Sequence, residues 1–475
     1  MNTARSLVVF ALALGMLVLV GTLLLLGISS APSPVHASPG TLYVAPDGSD
    51  AQDCSSLANR CRTVQHVVDV AAEGDEIHVA TGIYTGVQAR ADVTQVVYVS
   101  KTVTIRGGYN ADFSAGDPDI SPTILDAEGK GRVLYITGNI SPVIEGLRLT
   151  GGDATGLGGY DYYGTYDVGG GIYVITAAAT LNHNQMFSNT APYGGGGVFL
   201  GYSAAKLNNN TIVSNAVTTG GGGLFLYNSA ATLDANTIVS NTSANLGGGV
   251  YLFDSDATFK GNVIRSNTAT SLGGGIDVAS CSPTFSGNVI SGNSSGRGGG
   301  LFLWYSRSLL TNNALADNRA DTVGSGVWIG GSSPRLLHTT FARNTGGVGD
   351  AVFVTDDGSG VYSDVVMTNT LLVSQTVGIT ATTGTTNAVT LNGILWYSNT
   401  TNYGGPGAVT VTNAITGNPA FSADGFHITP ASAAINGGLN TGVSTDIDND
   451  PRLGQPDLGA DEWVTRVFLP LALKQ

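Results

Sequence analysis

The feature that most constrains this chain is a glycine-rich repeat with a period of about 26 residues. The last Gly before an apolar triplet recurs at steps of 26, 26, 26, 26, 25 and 26 residues. These glycines are Gly171, Gly197, Gly223, Gly249, Gly275, Gly300 and Gly326. The triplet alternates, as in Val250-Tyr251-Leu252, and a period of two indicates a strand. A unit this short that begins with a strand has no room for an ordinary helix.

Two further apolar columns and two Asn columns share the same period. The apolar columns are Leu181, Leu207, Leu233, Phe259, Phe285, Leu310 and Leu336, then Met186, Ile212, Ile238, Ile264, Ile290, Leu315 and Phe341. The Asn columns are Asn184, Asn210, Asn236, Asn262, Asn288 and Asn313, then Asn189, Asn215, Asn241, Asn267, Asn293, Asn318 and Asn344. We expect Asn at left-handed turn positions and in hydrogen-bonded ladders between coils. The pattern predicts an all-β parallel solenoid of three-strand coils stacked at about 4.8 Å.

Several segments also carry family resemblances. Gly-Gly-Gly-Val-Tyr-Leu (247–252) and Phe341-Ala-Arg-Asn344 resemble the GGx[IV] and FxxN motifs of polymorphic outer-membrane protein repeats. The wider pattern is similar to the right-handed parallel β-helix superfamily that includes pectate lyases. Residues 418–421, 426–436, 446–452 and 457–462 resemble the choice-of-anchor Q domain. The resemblance implies a right-handed β-helix, and the superfamily includes lyases, hydrolases and non-catalytic surface proteins.

The pattern divides the chain into four segments. Residues 1–37 predict a signal peptide or an N-terminal anchor, and 38–74 an N-terminal cap with a short amphipathic helix from Thr63 to Ala72. Residues 75–417 form the β-helix, which is most regular over 165–355. Residues 418–475 form a C-terminal cap or anchor-like region, whose apolar end Val467–Leu473 predicts a final strand.

The N-terminus predicts export. Arg5 precedes a 22-residue apolar run from Leu7 to Ile28, and Val35 and Ala37 fit a small-residue cleavage site. The run is also long enough to span a bilayer, so retention as a membrane anchor is the alternative. We therefore expect a secreted or cell-surface protein that contacts a membrane only through this segment, if it is uncleaved. Cys54 and Cys61 predict a structural disulfide, which export permits.

The charge balance limits the partners. The formal net charge is −14, with 20 basic and 34 acidic residues. Proteins bind nucleic acids and anionic membrane surfaces through Lys and Arg side chains. Because acidic residues outnumber basic ones here, neither is an expected partner. A polysaccharide or a cell-envelope component remains as a candidate partner, and we expect a monomer.

Acidic residues are the candidates for catalysis. Asp254 and Asp256 follow one coil's first strand, and Asp277 is expected on the outer face of the next coil. A glycosidase needs two carboxyl groups about 5–9.5 Å apart. The chain lacks the Gly-His-Gly, Arg-x-Lys and paired Asn-x-Asp and Asp-Asp motifs of the resembling enzymes. Its one Asp-Asp pair, 356–357, is about 19 Å from Asp254 along the stack. Solvated turn carboxylates are the competing interpretation.

Metal binding has one weak sequence signal. Asp446, Asp448 and Asp450 are spaced like the start of a calcium loop. Pro451 stands where an EF-hand needs Gly, and no bidentate Glu follows. A capping turn explains the spacing of these three Asp residues without a metal ion. We therefore predict no cofactor, and calcium binding is the alternative.

The strand that follows each Gly cluster predicts an outward aromatic stripe. If the aliphatic columns point inward, the intervening side chains point out and are expected to be exposed. They are Tyr173, Phe199, Phe225, Tyr227, Tyr251, Phe253, Phe302, Trp304 and Trp328. Exposed aromatic bands mark binding surfaces. Stacking between coils, or cover by long turns, would instead make the stripe structural.

Two functions follow from these observations. The first is a non-catalytic surface β-helix that acts in adhesion, envelope structure or glycan binding. The second is a polysaccharide lyase or glycoside hydrolase that acts through Asp254, Asp256 and Asp277.

Overall fold

A computed structural model describes residues 39–161, 165–382 and 386–464. The unit that begins at Thr41 is a right-handed parallel β-helix of about 12 coils, which confirms the predicted fold class. No helix in the described part of the chain has the length and hydropathy that a membrane span requires. The predicted export segment and the predicted final strand lie outside the described residues.

A regular coil contributes one strand to a front sheet, two to a bent sheet and one to a short sheet. The front sheet consists of Gln88–Arg90, Val93–Val99, Arg132–Thr137, Ile172–Ile175, Val198–Gly201, Leu224–Tyr227, Val250–Phe253, Ile276–Ala279, Leu301–Trp304, Val327–Gly330, Asp350–Thr355, Val377–Ala381 and Thr401–Gly404. The short sheet consists of Thr190–Ala191, Ala216–Val217, Thr242–Ser243, Thr268–Ala269, Ser294–Arg297 and Arg319–Val323. Pairing between successive coils is parallel and in register, so equivalent side chains stack in columns.

The bent sheet turns a corner within each coil. It consists of Thr41–Val44, Glu76–Ala80, Gly82–Tyr84, Thr104–Tyr109, Thr123–Asp126, Val143–Glu145, Leu147–Thr150, Thr180–Asn182, Gln185–Phe187, Lys206–Asn208, Thr211–Val213, Thr232–Asp234, Thr237–Val239, Thr258–Lys260, Val263–Arg265, Thr284–Ser286, Val289–Ser291, Leu309–Thr311, Ala314–Ala316, Arg335–Leu337, Thr340–Ala342, Asp364–Val373, Ala388–Tyr397 and Ala408–Thr416. An antiparallel hairpin, Gly159–Asp161 with Thr165–Asp167, projects from one coil.

The coil interior is aliphatic, and Asn ladders stabilise its corners. The three inward columns of the regular coils are almost fully buried. Asn210 illustrates the ladder: its Oδ1 accepts the backbone N–H of Asn184 at 3.0 Å, and its Nδ2 donates to Asn236 Oδ1 at 3.0 Å. The expectation that these Asn residues take the left-handed turn position is wrong. The preceding residue takes it, as at Asn209 with φ 54°, which leaves the Asn amide free to bond along the stack.

The N-terminal helix spans Val64–Val70, inside the predicted range. Its buried face includes Val64, Val67 and Val68. The helix packs against Val93–Val99 of the front sheet and against the first two strands of the bent sheet. Thr63 caps the helix by accepting the N–H of His66. A disulfide joins Cys54 and Cys61.

The C-terminal segment 418–464 lies along the side of the coils, at the corner of the bent sheet. Asn312 Nδ2 donates to Thr445 O at 2.7 Å, and Asn369 Nδ2 donates to Leu439 O at 2.7 Å. A separate apolar cluster fixes the contact, and its buried members are Leu371, Val373, Leu395, Ile428, Ala434 and Leu458. The segment thus covers the corner of several successive coils.

Candidate functional site

The front sheet carries the predicted aromatic columns on its outer side. Parallel register places Tyr173, Phe199, Phe225, Tyr251, Asp277, Phe302, Trp328 and Phe353 in one column. Tyr227, Phe253 and Trp304 belong to a second column two residues further along each strand. The rings lie outside the aliphatic interior and contact one another, as the pair Phe225 and Tyr251 does at 5.1 Å between centroids.

The expectation that these aromatic side chains are exposed is wrong for most of them. Seven are buried, namely Tyr173, Phe199, Phe225, Tyr227, Tyr251, Phe302 and Trp328. Phe253 and Trp304 are partly exposed. The Gly clusters explain part of this burial, because they fold back over the rings: a Cβ at Gly220 would lie 2.7 Å from the Tyr251 ring.

The projecting hairpin covers the N-terminal half of the stripe. Tyr160 of the hairpin lies 4.5 Å from Tyr227 and 5.6 Å from Phe225 between ring centroids, in edge-to-face geometry. Together with Tyr166 and Tyr193 it closes a second hydrophobic core outside the coils. This part of the stripe is therefore structural.

Arg132 holds the hairpin in place. Its guanidinium lies 4.8 Å from the centroid of the Tyr173 ring and is fully buried. Its Nε donates to Val168 O at 3.0 Å and its Nη2 donates to Gly158 O at 2.5 Å, on either side of the hairpin. The charge is thus compensated by carbonyl oxygens and aromatic faces.

Asp277 interrupts the column at its midpoint. It stands between Tyr251 and Phe302 in the register and is 2% exposed, so the expected solvated position is wrong. Burial raises the pKa of its carboxyl to about 8. No hydrogen bond to its side chain is present among the described residues. A carboxyl in this environment is neutral over much of the physiological range.

The C-terminal half of the stripe opens into a groove of about 500 Å³. Its aromatic floor consists of Trp304, Trp328 and Phe353. The two indoles are nearly parallel, with 5.6 Å between ring centroids and 16° between planes. Phe302 stacks on Trp328 at 4.2 Å and supports it from the preceding coil. Trp328 is buried, whereas Trp304 and Phe353 are partly exposed, so these two rings are the part of the floor that solvent reaches.

Charged side chains flank this groove. Arg297 lines it, and Asp356 and Asp357 line it from the turn that follows the strand Asp350–Thr355. Asp357 accepts hydrogen bonds from the hydroxyls of Ser359 and Tyr305, which hold its pKa well below the usual range. It is therefore an ionised hydrogen-bond acceptor and cannot serve as a proton donor near neutral pH.

The other predicted catalytic carboxylates do not line the groove. Asp254 occupies a left-handed turn position with φ 50° and is exposed. Asp256 is also exposed, and its Oδ1 accepts the N–H of Ser282 at 2.6 Å. These contacts are those of turn carboxylates. Asp277 is buried behind the neighbouring rings, so the three do not form an open acidic pair.

Sequence reasoning missed a polar cluster on the outer side of the bent sheet. Arg106 Nη1 lies 2.7 Å from Glu76 Oε1, and its Nε lies 3.1 Å from Glu145 Oε2. His78 Nε2 lies 3.0 Å from Tyr109 Oη, and the two rings stack at 4.2 Å. Arg106, Tyr109 and Glu145 also line a groove of about 510 Å³. The alternation Glu-Ile-His-Val could have indicated it, since it places polar side chains on one face.

The predicted calcium ligands are not brought together. Among the described residues, the carboxylates of Asp446, Asp448 and Asp450 do not form a converging group. Asp446 Oδ1 instead accepts the backbone N–H of Asp448 at 2.9 Å and of Asp450 at 2.8 Å. Its Oδ2 accepts the N–H of Glu462 at 2.9 Å. The spacing thus forms a turn around Asp446.

Comparisons with known proteins find likenesses in fold. The family model described as "Right handed beta helix region" matches residues 222–394. No curated protein matches the sequence.

Solved structures give distant likenesses. The catalytic unit of a thermostable GH87 α-1,3-glucanase from Streptomyces thermodiastaticus strain HF3-3 is 15% identical, with a TM-score of 0.47, over 74% of this chain and 65% of that one. This chain thus covers slightly less than two thirds of that unit. XylC in complex with xylose is 9% identical, with a TM-score of 0.47, over 90% and 99% of the two chains. Pectate lyase Pel9A is 14% identical, with a TM-score of 0.31, over 90% and 97%. These likenesses concern the β-helix architecture alone.

Proposed function

We propose that this protein is a non-catalytic β-helix that binds a glycan chain in the groove over Trp304, Trp328 and Phe353. The observation that carries the proposal is the aromatic floor of this groove, where Trp304 and Phe353 are partly exposed and Trp304 stacks on the buried Trp328, whereas Tyr173, Phe199 and Phe225 are buried in the core beneath the hairpin. Ligand sites combine aromatic walls with a few fixed polar groups, and this groove has both. Sugar rings present flat C–H faces to such floors and hydroxyls to carboxylates such as Asp357.

Charge narrows the class of glycan. Asp356 and Asp357 are two carboxylates against the single guanidinium of Arg297, and the chain as a whole has a formal charge of −14. Like charges repel a polyanion from such a groove. We therefore propose a neutral polysaccharide as the ligand, and polygalacturonate is the natural negative control.

Affinity electrophoresis of the full chain tests this function. Gels that contain arabinoxylan, dextran, a β-glucan or polygalacturonate are compared for retardation. We expect retardation by at least one neutral polymer and an approximately tenfold weaker affinity for Trp304→Ala. Trp463→Ala, at an exposed Trp of the C-terminal segment, is the matched control and should bind normally. Equal retardation of the two variants, or no retardation by the neutral polymers, would contradict the proposal.

Catalysis on a polysaccharide is the second candidate. It is favoured by Glu76 and Glu145, two carboxylates that contact one guanidinium beside a groove, since glycosidases act through carboxyl pairs. An assay for new reducing ends and for unsaturated products, on the same polymers, would detect it. Activity lost in Glu145→Gln would place it at this cluster, whereas activity lost in Asp254→Asn or Asp277→Asn would place it on the front sheet.

Export and attachment complete the proposed role. We propose that the N-terminal segment 1–37 directs the chain out of the cell and that residues 418–475 serve its placement at the surface. Intact-mass analysis tests the first part, because a mature chain that begins at Ser38 indicates cleavage and a chain that retains 1–37 indicates an anchor.

A further inference from the structure

Three turns of the C-terminal segment bring an imidazole and two carboxylates to one point. The ligand atoms of His427, Asp448 and Asp461 all lie within 4.8 Å of one another. His427 Nε2 is 3.2 Å from Asp448 Oδ2. Asp461 is 7% exposed, and its Oδ2 also accepts the N–H of Ile428 at 2.7 Å. Residues 34 positions apart in the sequence thus meet in a space the size of one coordination sphere.

The orientation of His427 is fixed from its other side. Its Nδ1 lies 2.6 Å from Asp424 Oδ2, and Asp424 is itself held by the backbone N–H groups of Phe426 and His427 and by the hydroxyl of Ser422. A carboxylate at Nδ1 favours the tautomer that carries its proton there and leaves the lone pair on Nε2. A carboxylate that accepts from the other ring nitrogen is common at histidines that bind metals.

The Nε2 atom has no partner that suits a lone pair. It is shielded from solvent and makes no hydrogen bond with any described residue. It faces Asp448 and Asp461, whose oxygens are also acceptors, so these atoms repel one another unless a cation lies between them. A proton, on the ring or on one of the carboxyl groups, or a metal ion removes this repulsion.

The cluster is accessible from a cavity. A space of about 420 Å³ between the C-terminal segment and the coils is lined by His427, Asp446 and Asp448 on one side and by Asp234 and Lys260 on the other. Water molecules in this cavity could complete the coordination of an ion held by three protein ligands.

We propose that His427 Nε2 and one oxygen each of Asp448 and Asp461 bind a first-row divalent metal ion, with Zn²⁺ as the best match. Imidazole nitrogen with carboxylate oxygens suits Zn²⁺ and its neighbours, whereas Ca²⁺ prefers six to eight oxygens. The ion joins three turns of the C-terminal segment and thereby stabilises its fold against the coils. The site is independent of the front-sheet groove.

Isothermal titration of the full, chelator-treated chain with Zn²⁺ and with Ca²⁺ tests the proposal. We expect one Zn²⁺ per chain, an affinity for Ca²⁺ at least tenfold weaker, and a higher Tm with Zn²⁺ present. His427→Gln and Asp448→Asn should abolish this binding, and Asp424→Asn should weaken it about 10- to 100-fold. Asp450→Asn removes the same charge two residues away and should bind Zn²⁺ normally.

Variants that retain the parent's metal-free Tm exclude misfolding as the cause of lost binding. Absence of stoichiometric Zn²⁺ binding by the parent would mean that a proton shared within the cluster, rather than a metal ion, holds these groups together, and would overturn the proposal. Unchanged binding by His427→Gln would overturn it as well, because the ion would then lie elsewhere.

Discussion

The two halves of the front-sheet aromatic stripe have similar sequences and different surroundings. In the N-terminal half, Tyr173, Phe199, Phe225 and Tyr251 lie beneath a hairpin and form a second core. In the C-terminal half, Trp304 of the second column stacks on Trp328 of the first, and a groove opens beside them. Asp277 separates the halves. The comparison shows that outward aromatic side chains become part of a covered core or line an open groove, according to the loops that lie over them.

The largest effect on stability is expected from substitution of Arg132, which holds the hairpin over the N-terminal half of the stripe. Arg132→Ala removes the guanidinium that donates to Val168 O and Gly158 O and opens a cavity beside Tyr173. We expect a loss of about 4 kcal/mol in the free energy of unfolding. Urea unfolding followed by tyrosine fluorescence measures it. Arg307→Ala, at an exposed turn, is the control and should change stability little. A similar small change for Arg132→Ala would mean that the hairpin does not depend on this residue.

A smaller effect, with a pH dependence, is expected at the boundary between the halves. Because burial raises the pKa of Asp277 to about 8, the folded protein holds a proton that the unfolded chain releases above about pH 4. Stability should therefore fall as pH rises from about 4 to 8. Asp277→Asn should remove this slope and add roughly 3 kcal/mol at pH 6, with little change at pH 4. Urea titrations at several pH values measure it, and an unchanged slope would show that Asp277 titrates normally.

Substitutions at Trp304 in the groove floor should show that the two halves of the stripe differ in glycan binding. Trp304→Phe retains a stacked ring of smaller area, whereas Trp304→Ala removes the ring. We expect affinity for the retarding polysaccharide to fall about threefold for Trp304→Phe and about tenfold for Trp304→Ala. Phe253→Ala removes a partly exposed ring beside the covered half and should leave the affinity unchanged. A loss as large as that of Trp304→Ala would mean that both halves bind.

The smallest effect concerns the rim of the groove. Tyr305→Phe removes the hydroxyl that donates to Asp357 and leaves the aromatic ring in place. We expect a change of less than threefold in affinity, because the floor carries most of the contact. Affinity electrophoresis in the same gels measures it. A loss of affinity larger than that of Trp304→Ala would mean that the rim, rather than the floor, makes the main contact with the polysaccharide.

The regular coils could be predicted from the sequence, because each position of a solenoid repeats its environment. The 26-residue period placed the aliphatic columns inside and predicted the Asn ladders. The burial of the aromatic stripe could not be predicted, because it depends on the hairpin at 159–167 and on Gly220, which belong to turns rather than to the strand pattern. For the same reason Asp277 was expected in solvent.

The periodic pattern also could not predict contacts between segments that are far apart in the sequence. His427 meets Asp448 and Asp461 through an irregular segment that has no repeat to align. The polar cluster of Arg106 and Glu145 lies in coils whose lengths differ, so its register was not visible in the sequence. Local spacing suggested an ion at Asp446, whereas the structure uses that carboxylate to hold backbone N–H groups.

Hydroxyl-radical footprinting of the chain, with and without the retarding neutral polysaccharide, tests the central claim most directly. It reports solvent access at Trp304 and at Trp463 within one sample. We predict that Trp304 is oxidised in the free protein and protected in the complex, while Trp463 is oxidised equally in both and Phe225 stays unreactive in both. Equal oxidation of Trp304 with and without the polysaccharide would contradict the claim that the groove at Trp304 is the binding surface.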